Sequence, residues 1–324
     1  MAGPRIFVTR AIPDASLARL RAALPHAQIE ANAEDRNLER PELLRRARGA
    51  DALLCTLADP IDAALLEALA PPLRVVSTFA VGYENIDLEA ARRLGVRVAH
   101  TPGVLTEATA EIAVALLLAC ARRVAEGDRL LRAGGFAGWS PLFMRGHGVY
   151  GKTVGIVGAG RIGLRVARTM RRGFDCEILA HSKSPRPDWE RELGARFVPL
   201  ADLFARADFV SLHCPATPET RHLIDAAALA RMKPTACLIN TARGSVVDEV
   251  ALATALRERR IAAAGLDVYE REPQLAPGLA RCENAVLLPH QGSATYEARE
   301  AMGRLAVDAI AAVLGGREPE HAIA

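Results

Sequence analysis

Residues 152–173 read KTVGIVGAGRIGLRVARTMRRG, and the order of residue types in this stretch decides the fold. The first part, 153–157, is short, apolar and β-branched, as in a strand that is buried on both faces of a sheet. Gly158, Gly160 and Gly163 follow in G-x-G-x-x-G spacing, and apolar residues then recur at helical intervals. The stretch therefore predicts a strand, a tight turn and a helix in immediate succession.

This succession suits the phosphates of a dinucleotide. Gly158 permits the tight turn, Gly160 lets a pyrophosphate approach the backbone, and Gly163 lets the helix pack closely on the strand. The first turn of the helix presents unbonded N–H groups and the positive end of its dipole. Because a strand precedes the glycines and a helix follows them, the motif predicts a dinucleotide site and not merely a turn.

Length and composition are those of an ordinary α/β protein with room for two domains. The chain has 324 residues, half of them hydrophobic, with 24% charged and 4% aromatic residues. Its net charge of +3 is too small, and too evenly spread, to indicate a nucleic acid or an anionic membrane as a partner.

The sequence also leads us to expect a cytoplasmic protein without a membrane span or a bound metal. The longest apolar run, 112–121, is far shorter than the ~20 residues that cross a bilayer, and no signal-peptide pattern opens the chain. The six cysteines lie far apart, without a C-x-x-C pair, which is typical of reduced thiols and not of a metal site.

Strand and helix patterns alternate along the chain, which predicts two parallel α/β units. Before a break at 100–103, strands are predicted at 6–9, 52–57, 73–77 and 96–99, and helices at 16–23, 40–48, 62–69 and 88–94. One long helix is predicted at 107–131 and an irregular segment at 134–151. Beyond the glycines, strands are predicted at 177–180, 196–199, 209–212, 236–239, 263–266 and 285–288, and a helix at 296–314 that could belong to either unit.

Two loops at predicted strand ends bear on ligand binding. The loop 78–83 is either a wall of the site or an ordinary turn. The loop 182–186 reads SKSPR, and the next carboxylate is Asp188, whereas an NAD site usually has an acidic residue at the strand end to bind the ribose hydroxyls. Hydroxyls and cations suit a 2′-phosphate, so the loop favours NADP(H), although any exposed polar loop could have this composition.

Three residues that can do chemistry follow predicted strands: Arg243, Glu272 and His290. Strand ends of a parallel sheet face one crevice, so these side chains are expected to line it. Reduction of a carbonyl needs a proton donor, which a histidine supplies near neutral pH, and a neighbouring carboxylate favours the imidazolium. An arginine can bind a carboxylate through two hydrogen bonds and polarise the adjacent carbonyl. Together with a dinucleotide site, the set predicts hydride chemistry.

Motifs along nearly the whole chain resemble those of the D-isomer-specific 2-hydroxyacid dehydrogenases. The matching segments are VGYENID at 81–87, TPGVLTEATAEIAVALLL at 101–118, YGKTVGIVGAGRIG at 150–163, INTARGSVVDEVAL at 239–252, AGLDVYEREP at 264–273 and LPHQGSAT at 288–295. The 101–118 match, the Trp-Ser-Pro at 139–141 and the Ser-Lys at 182–183 are most similar to the glyoxylate/hydroxypyruvate reductase branch. The chain departs from the family pattern at Gln291, Glu84 and Lys183, where an aliphatic residue, Asp and Arg are commoner.

The resemblance implies an α/β fold with two doubly wound parallel-sheet domains. A Rossmann cofactor domain would span 101–290. A discontinuous, flavodoxin-like substrate domain would combine residues 1–100 with a C-terminal helix in 291–324. The resemblance further implies a homodimer that forms through the cofactor domain.

The resemblance also implies roles for individual residues. The catalytic residues would be Arg243, Glu272 and His290. Substrate would be bound by Leu57, Val81, Gly82, Trp139, Arg243 and Ser293. The cofactor would be bound by Gly158, Gly160, Arg161, Ile162, Gly163, Ser182, Lys183, Ser184, Pro215, Thr241, Ala242, Arg243, Asp267, His290 and Gly292.

The expected activity is NADPH-dependent reduction of a small 2-oxo acid, glyoxylate or hydroxypyruvate, to the D-2-hydroxy acid. Closure of the domains would expel water and align the reactants. The alternatives are a dehydrogenase for 2-ketogluconate, D-lactate, phosphoglycerate or phosphite, and a nucleotide-sensing binding protein of the same fold. Such sensors, like many phosphoglycerate enzymes, usually have additional segments, for which this chain offers no spare sequence.

Overall fold

The computed structural model describes residues 3–184 and 186–324. The helices and strands are, in chain order, β1 Arg5–Val8, α1 Asp14–Ala23, β2 Gln28–Ala31, α2 Arg40–Ala47, β3 Ala52–Cys55, α3 Ala63–Leu69, β4 Val75–Thr78, α4 Leu88–Arg93, β5 Arg97–Ala99, α5 Thr106–Ala121, α6 Val124–Arg132, β6 Thr153–Val157, α7 Arg161–Phe174, β7 Glu177–His181, α8 Pro187–Leu193, β8 Arg196–Phe197, α9 Leu200–Arg206, β9 Phe209–Leu212, α10 Ala226–Arg231, β10 Cys237–Asn240, α11 Glu249–Arg257, β11 Ala263–Leu266, β12 Ala285–Leu287 and α12 Tyr296–Leu314. Within these described ranges, no helix is both long and apolar enough to cross a membrane.

The first compact unit consists of the chain up to Leu105 together with Ala294–Ala324. Its parallel sheet has the strand order β2-β1-β3-β4-β5, which is the flavodoxin-like doubly wound order. The last helix, α12, belongs to this unit, where Arg19 of α1 forms a two-bond ion pair with Asp308 and Ser77 Oγ donates to the Ala306 carbonyl.

The second unit spans Thr106–Ser293. Its parallel sheet has the order β12-β11-β10-β9-β6-β7-β8, so the direction of strand addition reverses between β6 and β9. Such a reversal opens the crevice in which doubly wound folds bind nucleotides. The central strands β9, β10 and β11 are buried along their whole length, with apolar cores on the two faces of the sheet. The two sheets confirm the predicted fold class, and the units divide a few residues beyond the expected 100/101 and 290/291.

The predicted long helix at 107–131 is wrong. The structure has two helices, α5 and α6, because Arg123 adopts a left-handed backbone conformation with φ 55° and ends the regular hydrogen bonding. The Arg123 guanidinium then bonds Glu126 in the first turn of α6. None of the described side chains of α6 is buried, so the apolar pattern of α5 does not extend across the break as a core-facing stripe.

Candidate active site

His290 and Glu272 form a hydrogen-bonded pair in the second unit. His290 follows β12 and Glu272 follows β11, and these strands are neighbours in the sheet. His290 Nδ1 lies 2.7 Å from Glu272 Oε2, and the second carboxylate oxygen accepts the Tyr269 N–H at 3.0 Å. Burial would raise the pKa of Glu272, but the hydrogen bond from His290 and the nearby Arg243 charge outweigh it, so this pKa lies below its usual range. An ionised Glu272 accepts the hydrogen bond from Nδ1–H, which leaves Nε2 of His290 to exchange a proton with a ligand.

A buried carboxylate shapes the loop that carries His290. Asp267 is 1% exposed, and its two oxygens accept the backbone N–H groups of Gln291 and Gly292, each at 2.7 Å. Burial raises the pKa of Asp267, while the two N–H bonds act in the opposite direction. A Cβ on Gly292 would lie 3.0 Å from Asp267 Oδ2, so a side chain there would crowd this contact. These bonds hold the chain directly after His290, whose φ is 51°.

Arg243 follows β10, the next strand in the sheet order, and a buried asparagine fixes its backbone. The Asn240 side chain accepts the Ala242 N–H at 3.0 Å and donates to the Arg243 carbonyl at 2.9 Å. A Cβ on Gly244 would overlap the Tyr269 carbonyl carbon at 1.8 Å, so the turn after Arg243 packs directly on the turn that leads to Glu272. Arg243, Glu272 and His290 thus stand at the carboxyl ends of three adjacent strands, where the sequence had placed them.

The glycine turn has the shape that a dinucleotide requires. Gly158 has φ 102°, and a Cβ there would lie 2.5 Å from the His213 carbonyl carbon at the end of β9. A Cβ on Gly163 would lie 2.3 Å from the Gly158 carbonyl oxygen, whereas a Cβ on Gly160 would meet nothing within 4 Å. Since Gly160 also begins α7 without a side-chain cap, the first N–H groups of the helix are open toward a ligand.

A second observation supports a bound cofactor in this unit. Thr241, which follows β10, is 8% exposed, and its buried hydroxyl has no hydrogen-bond partner among the described residues. Buried hydroxyls are normally paired, so a polar group of a ligand is a natural partner. The open glycine turn and the unpaired hydroxyl together fit a dinucleotide, which the first turn of α7 and Thr241 would hold.

The loop after β7 carries the residues that bear on cofactor choice. Ser182 is half-buried, Ser184 is exposed, and Lys183 Nζ lies 3.4 Å from Glu219 Oε2. The nearest acidic residue that follows in sequence, Asp188, is already bound by the Arg186 guanidinium through two hydrogen bonds. Pro185 of the SKSPR loop lies outside the described residues.

The first unit contains the expected substrate loop. Val81 is half-buried and Gly82 is buried in the loop after β4, while Leu57 is half-buried after β3. Within the part of the chain that the structure covers, the N–H groups of Val81 and Gly82 make no hydrogen bond. These two donors are therefore available for an anionic group.

The remaining predicted residues lie in the second unit. Ser293 is half-buried beside Gly292, and Pro215 is exposed in the loop after β9. Trp139 is 81% exposed in the irregular segment before β6, so it is not buried within the second unit. Sequence reasoning missed the hydrogen bonds by which Asn240 holds the backbone before Arg243 and those by which Asp267 holds the loop after His290. In both cases the available signal was a polar residue at the end of an apolar strand.

The chain is similar to known proteins in sequence. Residues 114–292 match the family described as D-isomer specific 2-hydroxyacid dehydrogenase, NAD binding domain. A glyoxylate reductase of Thermococcus kodakarensis is 48% identical over 321 residues, which is 98% of this chain and 95% of that protein.

Two solved structures share the fold over nearly the full length of both chains. A glyoxylate reductase from Paecilomyes thermophila is 32% identical with a TM-score of 0.87, and covers 100% of this chain and 99% of its own. An NADPH-dependent glyoxylate/hydroxypyruvate reductase from Sinorhizobium meliloti, in complex with NADP and malonate, is 34% identical with a TM-score of 0.82, at 99% and 97% coverage. The chain belongs to the D-isomer-specific 2-hydroxyacid dehydrogenase family, in its glyoxylate reductase branch, and is a nicotinamide-dependent oxidoreductase.

Proposed function

We propose that this protein reduces a small 2-oxo acid, glyoxylate or hydroxypyruvate, to the D-2-hydroxy acid with NADPH. The observation that carries the proposal is the placement of Arg243, Glu272 and His290 at the ends of three adjacent strands, with His290 bonded to Glu272. Relatives that are named glyoxylate reductases support the same substrate class.

Each side chain has a distinct task in this reaction. His290, held by Glu272, donates a proton through Nε2 to the oxygen of the substrate carbonyl. Arg243 binds the substrate carboxylate and polarises the adjacent carbonyl. In the first unit, the N–H groups of Val81 and Gly82 bind carboxylate oxygen. When bound, the nicotinamide supplies the hydride that the carbonyl carbon accepts.

The phosphate-binding part of the cofactor would lie on the glycine turn. Gly160, Arg161, Ile162 and Gly163 offer backbone N–H groups to the pyrophosphate. The unpaired Thr241 hydroxyl would offer the cofactor a hydrogen-bonding partner. These residues bind and orient the cofactor; the proton comes from His290.

Selectivity for NADPH over NADH rests on Lys183 in this proposal. Its side chain is 75% exposed and, among the residues that the structure describes, its ammonium pairs only with the exposed Glu219, so it can turn to a 2′-phosphate. Lys183→Ala should weaken NADPH binding about tenfold and leave NADH binding unchanged, because one charge-assisted contact is lost. Lys152→Ala is the control, because Lys152 precedes β6 and so lies at the amino-terminal edge of the sheet, whereas Lys183 follows the carboxyl end of β7. Glu219→Gln should tighten NADPH binding, because it frees Lys183.

The expected homodimer is proposed to form through exposed apolar side chains of the second unit. In α6 and the segment that follows it, Leu131, Trp139, Leu142 and Tyr150 are between 63% and 81% exposed. Such a concentration is unusual on a monomer surface. Light scattering should give twice the 34.6 kDa of one chain, and Leu131→Glu with Leu142→Glu should halve that mass. Val250→Glu, an exposed apolar position on α11, is the control.

The test of function is loss of nicotinamide absorbance with purified protein, NADPH or NADH, and a panel of oxo acids. We expect rapid NADPH oxidation with glyoxylate or hydroxypyruvate, and slow reaction with pyruvate or 2-ketogluconate. A preference for NADH would overturn the cofactor assignment only. Tight nucleotide binding without turnover of any acid would overturn the catalytic proposal and indicate a nucleotide sensor.

A further inference from the structure

His100, at the end of β5, bonds the backbone of the loop that carries Val81 and Gly82. Its Nδ1 lies 2.8 Å from the Val81 carbonyl oxygen, and its ring packs edge-on against Tyr83, with centroids 5.7 Å apart. A carbonyl oxygen only accepts hydrogen bonds, so Nδ1 carries the proton in this contact. His100 is therefore a hydrogen-bond donor to the loop.

The neighbouring peptide is held from the same side. The Thr101 N–H donates to the Ala80 carbonyl at 2.8 Å. Two successive carbonyl groups, those of Ala80 and Val81, are therefore bonded to two successive residues at the end of β5.

Planar trans peptides convert this contact into an orientation of the opposite groups. In a trans peptide the N–H points away from the C=O of the same unit. The peptides whose carbonyls bond residues 100 and 101 consequently direct the N–H groups of Val81 and Gly82 away from β5, both to the same side. Successive N–H groups that point the same way form an anion-binding concavity.

His100 is itself firmly held. Its own N–H donates to the His321 carbonyl at 3.3 Å, and next to it Ala99 pairs with Ala322 of the C-terminal segment. The C-terminal segment thus fixes the backbone of His100 while the ring bonds the loop, which is what a positioning side chain requires.

We propose that His100 is a positioning residue for substrate binding: its Nδ1–H fixes the Val81 carbonyl so that Gly82 N–H is aimed at the substrate carboxylate. This rests on the proposed function of the Val81–Gly82 loop. Such pre-alignment matters because a small displacement of a binding group weakens binding of the reactive pose. Loss of the donor should therefore weaken carboxylate binding and leave cofactor binding and proton transfer intact.

Two variants of nearly equal shape test the proposal. His100→Leu removes the donor, whereas His100→Asn can place an amide nitrogen where Nδ1 lies. For His100→Leu we expect KM for glyoxylate and the dissociation constant of oxalate to rise about tenfold, with kcat and NADPH affinity nearly unchanged. His100→Asn should restore most of both losses. Thermal unfolding of each variant checks the fold, and His100→Phe replaces His100→Leu should the latter not fold.

The outcomes separate this inference from the proposed function. Should the wild type reduce no 2-oxo acid, the proposed function fails, and oxalate binding alone decides the role of His100. Should the wild type be active and His100→Leu have its KM and oxalate affinity, only the role of His100 is refuted. Equal losses in the Leu and Asn variants would assign the effect to ring packing and would also overturn the inference.

Discussion

At the scale of single residues, two histidine–glutamate pairs in the second unit offer a direct comparison. His290 and His222 both have left-handed backbone, with φ 51° and 48°, and each has a ring nitrogen within 2.8 Å of a glutamate oxygen. His290 follows β12 directly and bonds Glu272, which follows the neighbouring strand β11, whereas His222 lies in the loop between β9 and α10 and bonds Glu270. We expect His290→Asn, which tolerates this backbone, to lower kcat by about 10²–10⁴-fold with little change in NADPH affinity. His222→Asn is the matched control, and an equal loss in both would remove His290 from the mechanism.

The carboxylate of Glu272 should control the pH dependence of reduction. Its pKa lies below the ordinary value, so it is ionised throughout the neutral range and places a negative charge 2.7 Å from Nδ1 of His290. Glu272→Gln keeps the hydrogen bond and removes the charge, so the pH above which reduction declines should move lower. The measurement is kcat/KM for glyoxylate from pH 5 to 9; an unshifted profile with a uniformly lower rate would show that Glu272 only holds the ring.

How far the sequence predicts the site depends on the distance over which each interaction acts. The positions of Arg243, Glu272 and His290 could be predicted, because a reactive side chain shortly after an apolar strand is a local pattern. The bonds from Asp267 to residues 291 and 292 join positions more than 20 residues apart, and no local pattern contains them. No local pattern contains the contact between His100 and Val81 either, because this contact depends on the pairing of β4 with β5.

At the scale of elements, the start of α7 depends on the lack of a side chain at Gly163. A Cβ there would lie 2.3 Å from the Gly158 carbonyl oxygen, so Gly163→Ala should push the helix off β6. We expect NADPH affinity to fall at least tenfold and stability by about 1–3 kcal/mol. Gly173→Ala, in the same helix, is the control. Its Cβ would meet nothing within 4 Å, so this variant should raise the free energy of unfolding by about 0.5–1 kcal/mol. Calorimetric titration with NADPH measures the affinity, and denaturant unfolding measures the stability. Equal NADPH affinities in the two variants would contradict the close packing of α7 on β6.

Element boundaries were predicted where the chain has strong local start and stop residues. Helix α12 occupies its predicted range, between the capping Thr295 and Gly315–Gly316. Strand β2 was missed because QIEA at 28–31 is a half-exposed edge strand without a buried apolar face. The end of α5 was missed because the left-handed φ of Arg123 leaves no mark in the hydrophobic pattern.

At the scale of the whole molecule, a buried histidine should make stability depend on pH. His213, which follows β9, shares a 2.9 Å hydrogen bond with Ser211, and its Nδ1 is buried without a partner among the described residues. Burial lowers the pKa of His213 to about 3, from 6.5 when unfolded. Below pH 6.5 the His213 side chain therefore binds a proton in the unfolded chain but not in the folded chain. Stability consequently declines as the pH falls from 6.5 toward 3.

The size of this effect can be measured in the window from pH 6.5 to 4.5. Carboxylates with lowered pKa values, such as Glu192 and Asp208, lose their contribution only below their unfolded values of 4.5 and 3.8, outside this window. Carboxyls with raised pKa values, Asp267 and Glu249, act in the opposite direction but equally in wild type and variant. His213→Gln should flatten the pH dependence of the free energy of unfolding by up to about 1.4 kcal/mol per pH unit, measured by urea unfolding. Identical slopes for His213→Gln and wild type would mean that His213 takes up its proton in the folded state.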